Sequence, residues 1–401
     1  MVSVEHGILA GMTTPKSRWY QYSLRSLLLL MLLASIGMSW VAVKMRQAKR
    51  EREAGRAIVK LGGKVAVDWD CKLPAWLRRL LGDDFFNRVS SVDFSGVQVT
   101  DAALEHLEAF SQLRALHLRC TNVTDAEVEH LQGLFQLQLL DLSGTQVTGA
   151  GLKHLKDLPH LRLLHLGRRP FTESSMKRIT RLSQPQESYH ISDAGLEHIK
   201  DLSQLQKLWL GGTDITDAGV DRLKPLGQLQ VLDLGRTKVS DAGLEHLKGL
   251  SQLQILQLDG TQVADAGLEH LKGLSQLRCL FLDRTRVTDA GLEHLKGLSQ
   301  LQGLQLDSTR VTDAGLKHLK GLSQLQKVHL QGTRVTDAGL EHLKGLSQLD
   351  ELGLGGTQVT DAGLEHLKGL SQLRELDLDG TQVTAEGIKR LQAALPNCSR
   401  H

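Results

Sequence analysis

A motif that recurs every 24 residues is the feature that most constrains the fold of this chain. The aspartates that mark it are Asp193, Asp217, Asp241, Asp265, Asp289, Asp313, Asp337 and Asp361. The same spacing locates related units at Asp101, Asp125, Gly149, Glu173 and Ala385. A fixed period in the twenties is the signature of a solenoid, in which each unit packs only against its neighbours.

Each unit reads as a strand followed by a short helix. Leu256 and Leu258 alternate as in a strand with one buried face. Thr288 is a candidate N-cap, with Val287 and Leu292 placed as a hydrophobic staple. Gly297 fits the position after the last helical turn, where a positive φ is needed. The sequence therefore predicts an α/β solenoid with a parallel inner sheet and short outer helices.

An apolar segment precedes the repeats. Ser26–Val43 carries no charged residue and would form a helix of roughly 27 Å, long enough to cross a hydrocarbon core. We predict a membrane-spanning helix; a cleaved signal peptide and a buried core helix are the alternatives. More basic residues follow this segment than precede it, which favours a cytoplasmic location for the repeats.

The predicted organisation places an N-terminal tail at 1–25, the transmembrane helix at 26–43 and a basic, helix-prone linker at 44–60. This linker is expected either to rest on anionic headgroups or to be a solvated tether. An N-terminal cap follows at 61–88, with a strand at Lys64–Asp70 and a helix at Pro74–Leu81. The solenoid covers 89–395 and is irregular at 173–192, and a tail at 396–401 ends the chain.

The irregular unit is four residues short, because 20 residues separate Glu173 from Asp193. Pro185–His190 replaces the positions that normally carry the strand. A proline at the first strand position predicts that the sheet is interrupted there. A tolerated deletion, a hinge and a recognition loop are the three explanations for this irregular unit.

The repeats resemble a known family. Leu253-x-x-Leu256-x-Leu258 is similar to the leucine-rich-repeat pattern L-x-x-L-x-L-x-x-N-x-L, with Thr261 where that family usually has Asn. In that family the Asn side chain satisfies backbone groups inside the turn, and a Thr hydroxyl forms fewer such bonds. The apolar segment, the cap sequences LGGKVAVDWD and PAWLRRLLGDDFF, the TDAGLEHLKGL units and the LPNC ending look like a group of single-pass bacterial leucine-rich-repeat proteins.

That resemblance implies a binding role for the repeats. The DAGL helix start is also similar to the cysteine-containing subclass of leucine-rich repeats found in F-box substrate receptors. No F-box precedes the repeats here, so a ubiquitin-ligase role is not carried over.

The sequence contains no motif that indicates catalysis. It has no GxGxxG, P-loop, HExxH or GxSxG, and its four cysteines lie far apart. One histidine recurs in the helices and is interpreted as a copied, solvent-facing residue: His106, His130, His154, His198, His246, His270, His294, His318, His342 and His366. The net charge of +3 does not indicate nucleic acid. We expect no enzymatic activity, cofactor, metal, nucleic acid or small-molecule substrate.

The inner face of the sheet is the candidate binding surface. Trp209 and Phe281 are expected to be open apolar anchors there, with His329 in the same row. Asp259, Asp283 and Asp307 would stack in three consecutive units beside a basic row of Arg286, Arg310 and Arg334. Stacked like charges repel, so each row is destabilising unless the other row or a ligand balances it. The alternative explanation is that the charges have no binding role and were duplicated together with the repeat unit.

Three functions are compatible with these features. The first is a membrane-anchored module that binds another protein through its concave face. The second is a structural spacer or cell-envelope scaffold without a specific ligand, which the low divergence between repeats favours. The third is an enzyme acting through the irregular unit. The first is the prediction.

Overall fold

The computed structural model describes residues 24–68, 88–167 and 191–400. Its strands form one sheet of 14, ordered as in the sequence. β1 is antiparallel to β2, and every later neighbour is parallel. The strands are β1 Lys64–Asp68, β2 Arg88–Asp93, β3 Ala115–His117, β4 Leu139–Asp141, β5 Leu163–His165, β6 Lys207–Trp209, β7 Val231–Asp233, β8 Ile255–Gln257, β9 Cys279–Phe281, β10 Gly303–Gln305, β11 Lys327–His329, β12 Glu351–Gly353, β13 Glu375–Asp377 and β14 Ser399–Arg400.

Short helices form the second layer. After the long first helix, α1 (Leu24–Lys60), the α-helical segments are Asp101–Glu105, Asp125–Val128, Asp193–Leu196, Asp217–Asp221, Asp241–Glu245, Asp265–Leu268, Asp289–Leu292, Asp313–Leu316, Asp337–Leu340, Asp361–Leu364 and Ala385–Ala394. The 3-10 segments are His106–Ala109, Glu129–Leu131, Gly151–Leu155, Glu269–Leu271, Glu293–Gly297, Lys317–Leu319 and Glu341–Leu343. The predicted α/β solenoid is thus the observed architecture.

The core is a continuous column of leucines between the two layers. Leu256 and Leu258 of one unit and Leu268 and Leu271 of its helical segment are all fully buried. Thr261 is buried as well, and its hydroxyl donates to the Leu258 carbonyl at 2.6 Å. The same bond is made by Thr213, Thr237, Thr285, Thr309, Thr333 and Thr357. The threonine hydroxyl at this position therefore forms one side-chain hydrogen bond, to a backbone carbonyl of its own repeat.

Neighbouring helix starts are joined by what we call an Asp–Thr bridge. Asp265 Oδ1 accepts from the Thr288 backbone N–H at 2.7 Å, and Oδ2 accepts from the Thr288 hydroxyl at 2.6 Å. The N-cap role predicted for Thr288 is present, since its hydroxyl oxygen also accepts from Ala290 N–H at 3.4 Å. The equivalent bridges are Asp125–Thr148, Asp193–Thr216, Asp217–Ser240, Asp289–Thr312, Asp313–Thr336, Asp337–Thr360 and Asp361–Thr384.

The glycine of the DAG motif makes room for this bridge. A Cβ on Gly291 would lie 2.5 Å from Asp265 Oδ1 of the preceding repeat. Gly297, in contrast, lies in a 3-10 segment and is not among the residues with positive φ, so the prediction of a left-handed residue there is wrong. The left-handed residue follows the strand instead, at Gly260 with φ 66° and at Arg284 with φ 56°.

The sheet is not interrupted at the irregular unit, which corrects the prediction. β5 pairs directly with β6, so that Leu164 lies beside Leu208. At the helix starts Gly149 replaces the usual aspartate, and a Cβ added to it would lie 2.7 Å from Gly195 Cα. Two glycines therefore allow the flanking repeats to stack directly. Residues 168–190, including Pro185–His190, lie outside the described residues.

The N-terminal helix α1 continues without a break from Leu24 to Lys60, so the stretch predicted to be helix-prone at 44–60 is helical. Its last third packs on the solenoid: Ala54 and Ile58 belong to the core, and Glu51 is buried. The expectation of a solvated tether at 44–60 is therefore wrong. Residues 26–43 are almost entirely exposed, and they have the length and apolar composition of a membrane-crossing helix, a test that a signal sequence also passes.

The two ends of the solenoid are partly as predicted. β1 is the expected cap strand over Lys64–Asp68, whereas its predicted last two residues and the helix predicted at Pro74–Leu81 lie outside the described residues. At the other end Leu391 and Leu395 are buried, and the last helix ends at Ala394. β14, which adds one more parallel strand after this helix, was not predicted.

Candidate binding surface

The third residue of each strand from β6 to β13 forms an inner row on the concave face of the sheet. Alternation puts this row on the side opposite the core leucines, as at Trp209 between Leu208 and Leu210. The row consists of Trp209, Asp233, Gln257, Phe281, Gln305, His329, Gly353 and Asp377. Its members are paired in register from strand to strand, so each side chain lies beside those of the two neighbouring repeats.

Trp209 and Phe281 are in this row, but they are not open anchors. Trp209 is only 4% exposed and Phe281 only 5%. The Trp209 ring lies against the His165 imidazole, with ring centroids 5.3 Å apart, and Phe281 lies between Gln257 and Gln305. Because the strands are about 4.8 Å apart, the side chains of neighbouring repeats cover a broad aromatic ring in this row, so the prediction of open anchors is wrong.

The acidic row follows two residues later in the chain. Asp259 is buried, and Asp283 and Asp307 are half-buried. Asp283 Oδ1 accepts from the Asp307 N–H at 2.9 Å, and Asp307 Oδ1 accepts from the Gln331 N–H at 2.8 Å. Asp283 and Asp307 therefore bond the backbone of the next repeat, and Asp259 Oδ2 lies 3.9 Å from Arg236 Nε. The acidic row is thus partly compensated by backbone donors and by Arg236, not by the arginines of the predicted basic row.

Burial and mutual repulsion change the acidity of this row. Burial, together with the charges of Asp307 and Asp259, raises the pKa of Asp283 to about 7, although the Asp307 N–H and His329 act to lower it. Burial also raises the pKa of Asp307, against the lowering effects of His329 and the Gln331 N–H. The ionised form of these carboxylates is thus disfavoured in the folded protein, and a nearby cation would stabilise it.

The basic row lies on the turns that follow the strands. Arg286, Arg310 and Arg334 are all exposed, and none of them forms an ion pair with any residue that the structure describes. The two rows therefore do not balance each other. The same turn position carries Gln262, Gln358 and Gln382 in neighbouring repeats. Three consecutive repeats thus carry, where the repeats on either side have glutamine, an arginine that forms no ion pair with a described carboxylate.

His329 belongs to a cluster that sequence reasoning missed. Its Nε2 lies 3.2 Å from Glu351 Oε1, and Lys327 Nζ lies 2.6 Å from Glu351 Oε2. The bond from His329, followed by that from Lys327, lowers the pKa of Glu351 to about 2. Burial alone would lower the pKa of His329, but Glu351 and Asp307 outweigh it and raise that pKa. The signal was available, because Lys327 and Glu351 occupy the same strand position one repeat apart.

The recurring histidines lie on the helical side. Most are half-buried rather than fully solvent-facing, with His198 the exposed exception. Within residues 24–68, 88–167 and 191–400, no three His, Cys, Asp or Glu side chains come together as a metal ion would require.

Comparison with known proteins agrees with this geometry. The leucine rich repeat family pattern matches residues 111–169 and 323–383. The chain therefore has a leucine-rich-repeat fold. Proteins of this kind typically mediate protein–protein interactions, and their fold is generally a non-enzymatic scaffold. No curated protein matches the sequence.

Two solved structures show the same fold. An internalin from Listeria monocytogenes is 22% identical with a TM-score of 0.57, and the match covers 81% of this chain and 92% of the internalin. A leucine-rich-repeat protein from Leptospira interrogans is 20% identical with a TM-score of 0.53, and the match covers 74% of each chain. At this identity the likeness establishes the leucine-rich-repeat fold.

Proposed function

We propose that this leucine-rich-repeat protein is a single-pass membrane protein that binds another protein through its concave face, without enzymatic activity. Ser26–Val43 would be the anchor, and the excess of basic residues after it favours cytoplasmic repeats. The resemblance to single-pass bacterial leucine-rich-repeat proteins supports the same arrangement. The partner would lie across the strands and contact the acidic and basic rows.

The observation that carries this proposal is the arginine row. Stacked cations about 5 Å apart repel each other, and Arg286, Arg310 and Arg334 have no described carboxylate to compensate them. They add nothing visible to the fold, because the neighbouring repeats form the same turn with glutamine. A partner with acidic groups spaced along the row would supply the missing charge, and arginine presents the planar donors that suit carboxylates.

The acidic row and His329 extend this surface. Asp283 and Asp307 retain part of their exposure, and because their pKa values are raised, a cationic group of a partner would favour their charged form. A surface with adjacent rows of opposite sign fixes the register of a partner and discriminates against partners with the wrong charge pattern. Trp209 and Phe281 remain proposed binding residues, now as a packed floor beneath a partner rather than as protruding anchors.

The test compares partner capture by the full-length protein in native membranes. The variant Arg286→Gln/Arg310→Gln/Arg334→Gln restores the residue that the neighbouring repeats carry, and Gln262→Ala/Gln358→Ala/Gln382→Ala is the matched control at the same turn position. We expect a protein that cross-links to the wild type and the control to be lost from the arginine variant. If all three chains capture the same proteins to the same extent, the structural spacer is the better interpretation.

Replacing Trp209 and Phe281 would not give a clean test of binding. Both rings are buried, and truncating a buried aromatic side chain costs about 3–5 kcal/mol. A loss of capture in Trp209→Ala would therefore combine lost contacts with lost stability. The exposed arginines avoid this problem.

A further inference from the structure

The solenoid has two edges that differ in their relation to α1. The turns that lead from each helix into the next strand form what we call the pre-strand edge, which includes Phe135 ahead of β4. The turns that follow the strands form the post-strand edge, which includes Gln146 after β4 and the arginine row. One edge therefore carries the proposed binding rows, and the other remains unassigned.

α1 crosses the N-terminal end of the solenoid from the pre-strand edge to the post-strand edge. Gln47 Nε2 donates to the Ala109 carbonyl at 2.6 Å, just before the turn that leads into β3. Ile58 lies near Phe94, directly after β2, and a Cβ on Gly63 would be 2.7 Å from both side chains. The orientation of α1 relative to the two edges is therefore fixed by contacts at both ends of its packed third.

The packed face of α1 makes it a rigid connection. Gln47, Glu51, Ala54 and Ile58 are spaced by four, three and four residues, so they lie on one side of the helix. Glu51, Ala54 and Ile58 are 7%, 5% and 0% exposed, and Gln47 also donates to Glu51 at 3.0 Å. The solenoid is thus held by a helix, with no flexible tether between the apolar segment and the first repeat.

The apolar segment leaves the solenoid at the pre-strand edge. Val43, the last residue of the uncharged stretch, precedes Gln47 by four residues, or about 6 Å along a helix. α1 has no break in this interval. A bilayer that surrounds Ser26–Val43 would consequently begin about one helical turn beyond the pre-strand edge.

Phe135 is the unusual residue of that edge. It is 57% exposed, and among residues 88–167 and 191–400 it is the only exposed large apolar side chain. Its position carries a serine in most other repeats: Ser111, Ser203, Ser251, Ser275, Ser299, Ser323, Ser347 and Ser371. It lies in the repeat that follows the Gln47–Ala109 contact, with exposed Lys156, Asp157 and Pro159 beside it. An exposed aromatic side chain next to a lysine is typical of a membrane-water interface.

We infer that the pre-strand edge of the first repeats rests on the lipid bilayer, with Phe135 inserted among the headgroups. This inference rests on the proposed membrane anchor. Arg162 and Arg114 are both exposed at the same edge and would approach anionic headgroups, although Arg114 also forms an ion pair with Asp68 at 3.2 Å. The post-strand edge, with the arginine row, would then face away from the membrane and towards a soluble partner.

The test places a photo-cross-linking amino acid in the full-length protein in cell membranes. Phe135→p-benzoylphenylalanine keeps an exposed aromatic side chain, and Gln146→p-benzoylphenylalanine is the matched control at the opposite end of β4. Leu30→p-benzoylphenylalanine reports on the anchor itself. After irradiation, the measurement is the yield of lipid adducts on the protein by mass spectrometry.

We expect lipid adducts at positions 30 and 135, with a yield at position 135 several-fold above that at position 146. Adducts at position 30 but not at 135, equal yields at 135 and 146, or protein adducts at 135 would each overturn the docking inference while leaving the anchor intact. Absence of adducts at position 30 would instead refute the proposed anchor, and the docking inference with it.

Discussion

The helix starts and the inner row of the sheet follow opposite rules. Eight Asp–Thr or Asp–Ser bridges use the same atoms in the same geometry, from Asp125–Thr148 to Asp361–Thr384. Over the eight strands from β6 to β13, by contrast, the inner row contains six residue types. Positions that hold neighbouring repeats together are kept, whereas the concave positions vary. Duplication of whole units does not explain that contrast. The variation of the concave positions favours a binding surface over a spacer.

The largest effect is expected where a side chain would enter a bridge. Gly339→Ala places a Cβ against Asp313 Oδ1, closer than van der Waals contact allows, and 3.1 Å from Val335. We expect a loss of about 2 kcal/mol, within the range of overpacking in a dense interior. The measurement is amide hydrogen exchange in residues 337–343.

Gly345→Ala is the matched control, six residues later in the same repeat. A Cβ there has nothing within 4 Å, so we expect a change below about 0.5 kcal/mol. Equal losses in the two variants would show that the glycine of the DAG motif is not needed for the bridge.

One bridge lacks its hydroxyl and offers a gain of stability. Asp241 Oδ1 accepts from the Ala264 N–H at 2.6 Å, but alanine leaves Oδ2 without the second bond. Ala264→Thr should complete the bridge and stabilise this junction by about 1 kcal/mol, and Thr336→Ala should destabilise its junction by about as much. Protection of amides near residues 264 and 336 measures both. Unchanged protection in both variants would mean that the backbone bond alone holds the junction.

The sequence predicts the parts of this molecule that repeat. The period gives the solenoid, and leucine alternation gives strands such as β8 and the buried face of each unit. What it does not give are contacts between units. The Asp–Thr bridge joins residues 23 positions apart, and the burial of Trp209 depends on His165 across the irregular unit. Local periodicity does not reveal either contact.

The wrong predictions have the same cause. The stretch at 44–60 is basic and looks like a solvated linker, yet the small and apolar face formed by Ala54 and Ile58 packs on the first repeat. Pro185–His190 predicts an interrupted sheet, whereas Gly149 and Gly195 allow the repeats of β5 and β6 to stack and their strands to pair directly. Each case required knowing which distant residues become neighbours.

The acidic row, unlike the Asp–Thr bridges, should make the stability of the protein depend on pH. Because the pKa of Asp283 is raised from 3.8 to about 7 in the folded chain, the folded state binds the proton more tightly than the unfolded state. Its contribution is complete below the unfolded pKa and is lost as the pH rises through about 7. Asp283→Asn keeps an oxygen that can accept from the Asp307 N–H and should be more stable than wild type at pH 8, on the order of 1 kcal/mol.

The wild type at low pH is the internal control for this prediction. At pH 4 the Asp283 carboxyl of the folded protein is neutral, so the variant and the wild type should unfold at nearly the same temperature. Thermal unfolding at both pH values distinguishes this effect from a general one. A stabilisation of equal size at pH 4 and pH 8 would contradict the charge explanation, which involves Asp259, Asp307 and His329 as the facing groups.

The smallest effect on stability is expected at the arginine row. A substitution there should therefore distinguish an effect on binding from an effect on folding most clearly. Arg310→Gln removes an exposed side chain that forms no ion pair among the described residues and installs the residue present at Gln262 and Gln358. We expect the free energy of unfolding to change by less than about 0.5 kcal/mol, as for other exposed positions, while partner capture weakens. A clear gain of stability without loss of capture would mean that the row is only copied repulsion. A clear loss of stability would place this arginine with the bridges, among the residues that hold the repeats together.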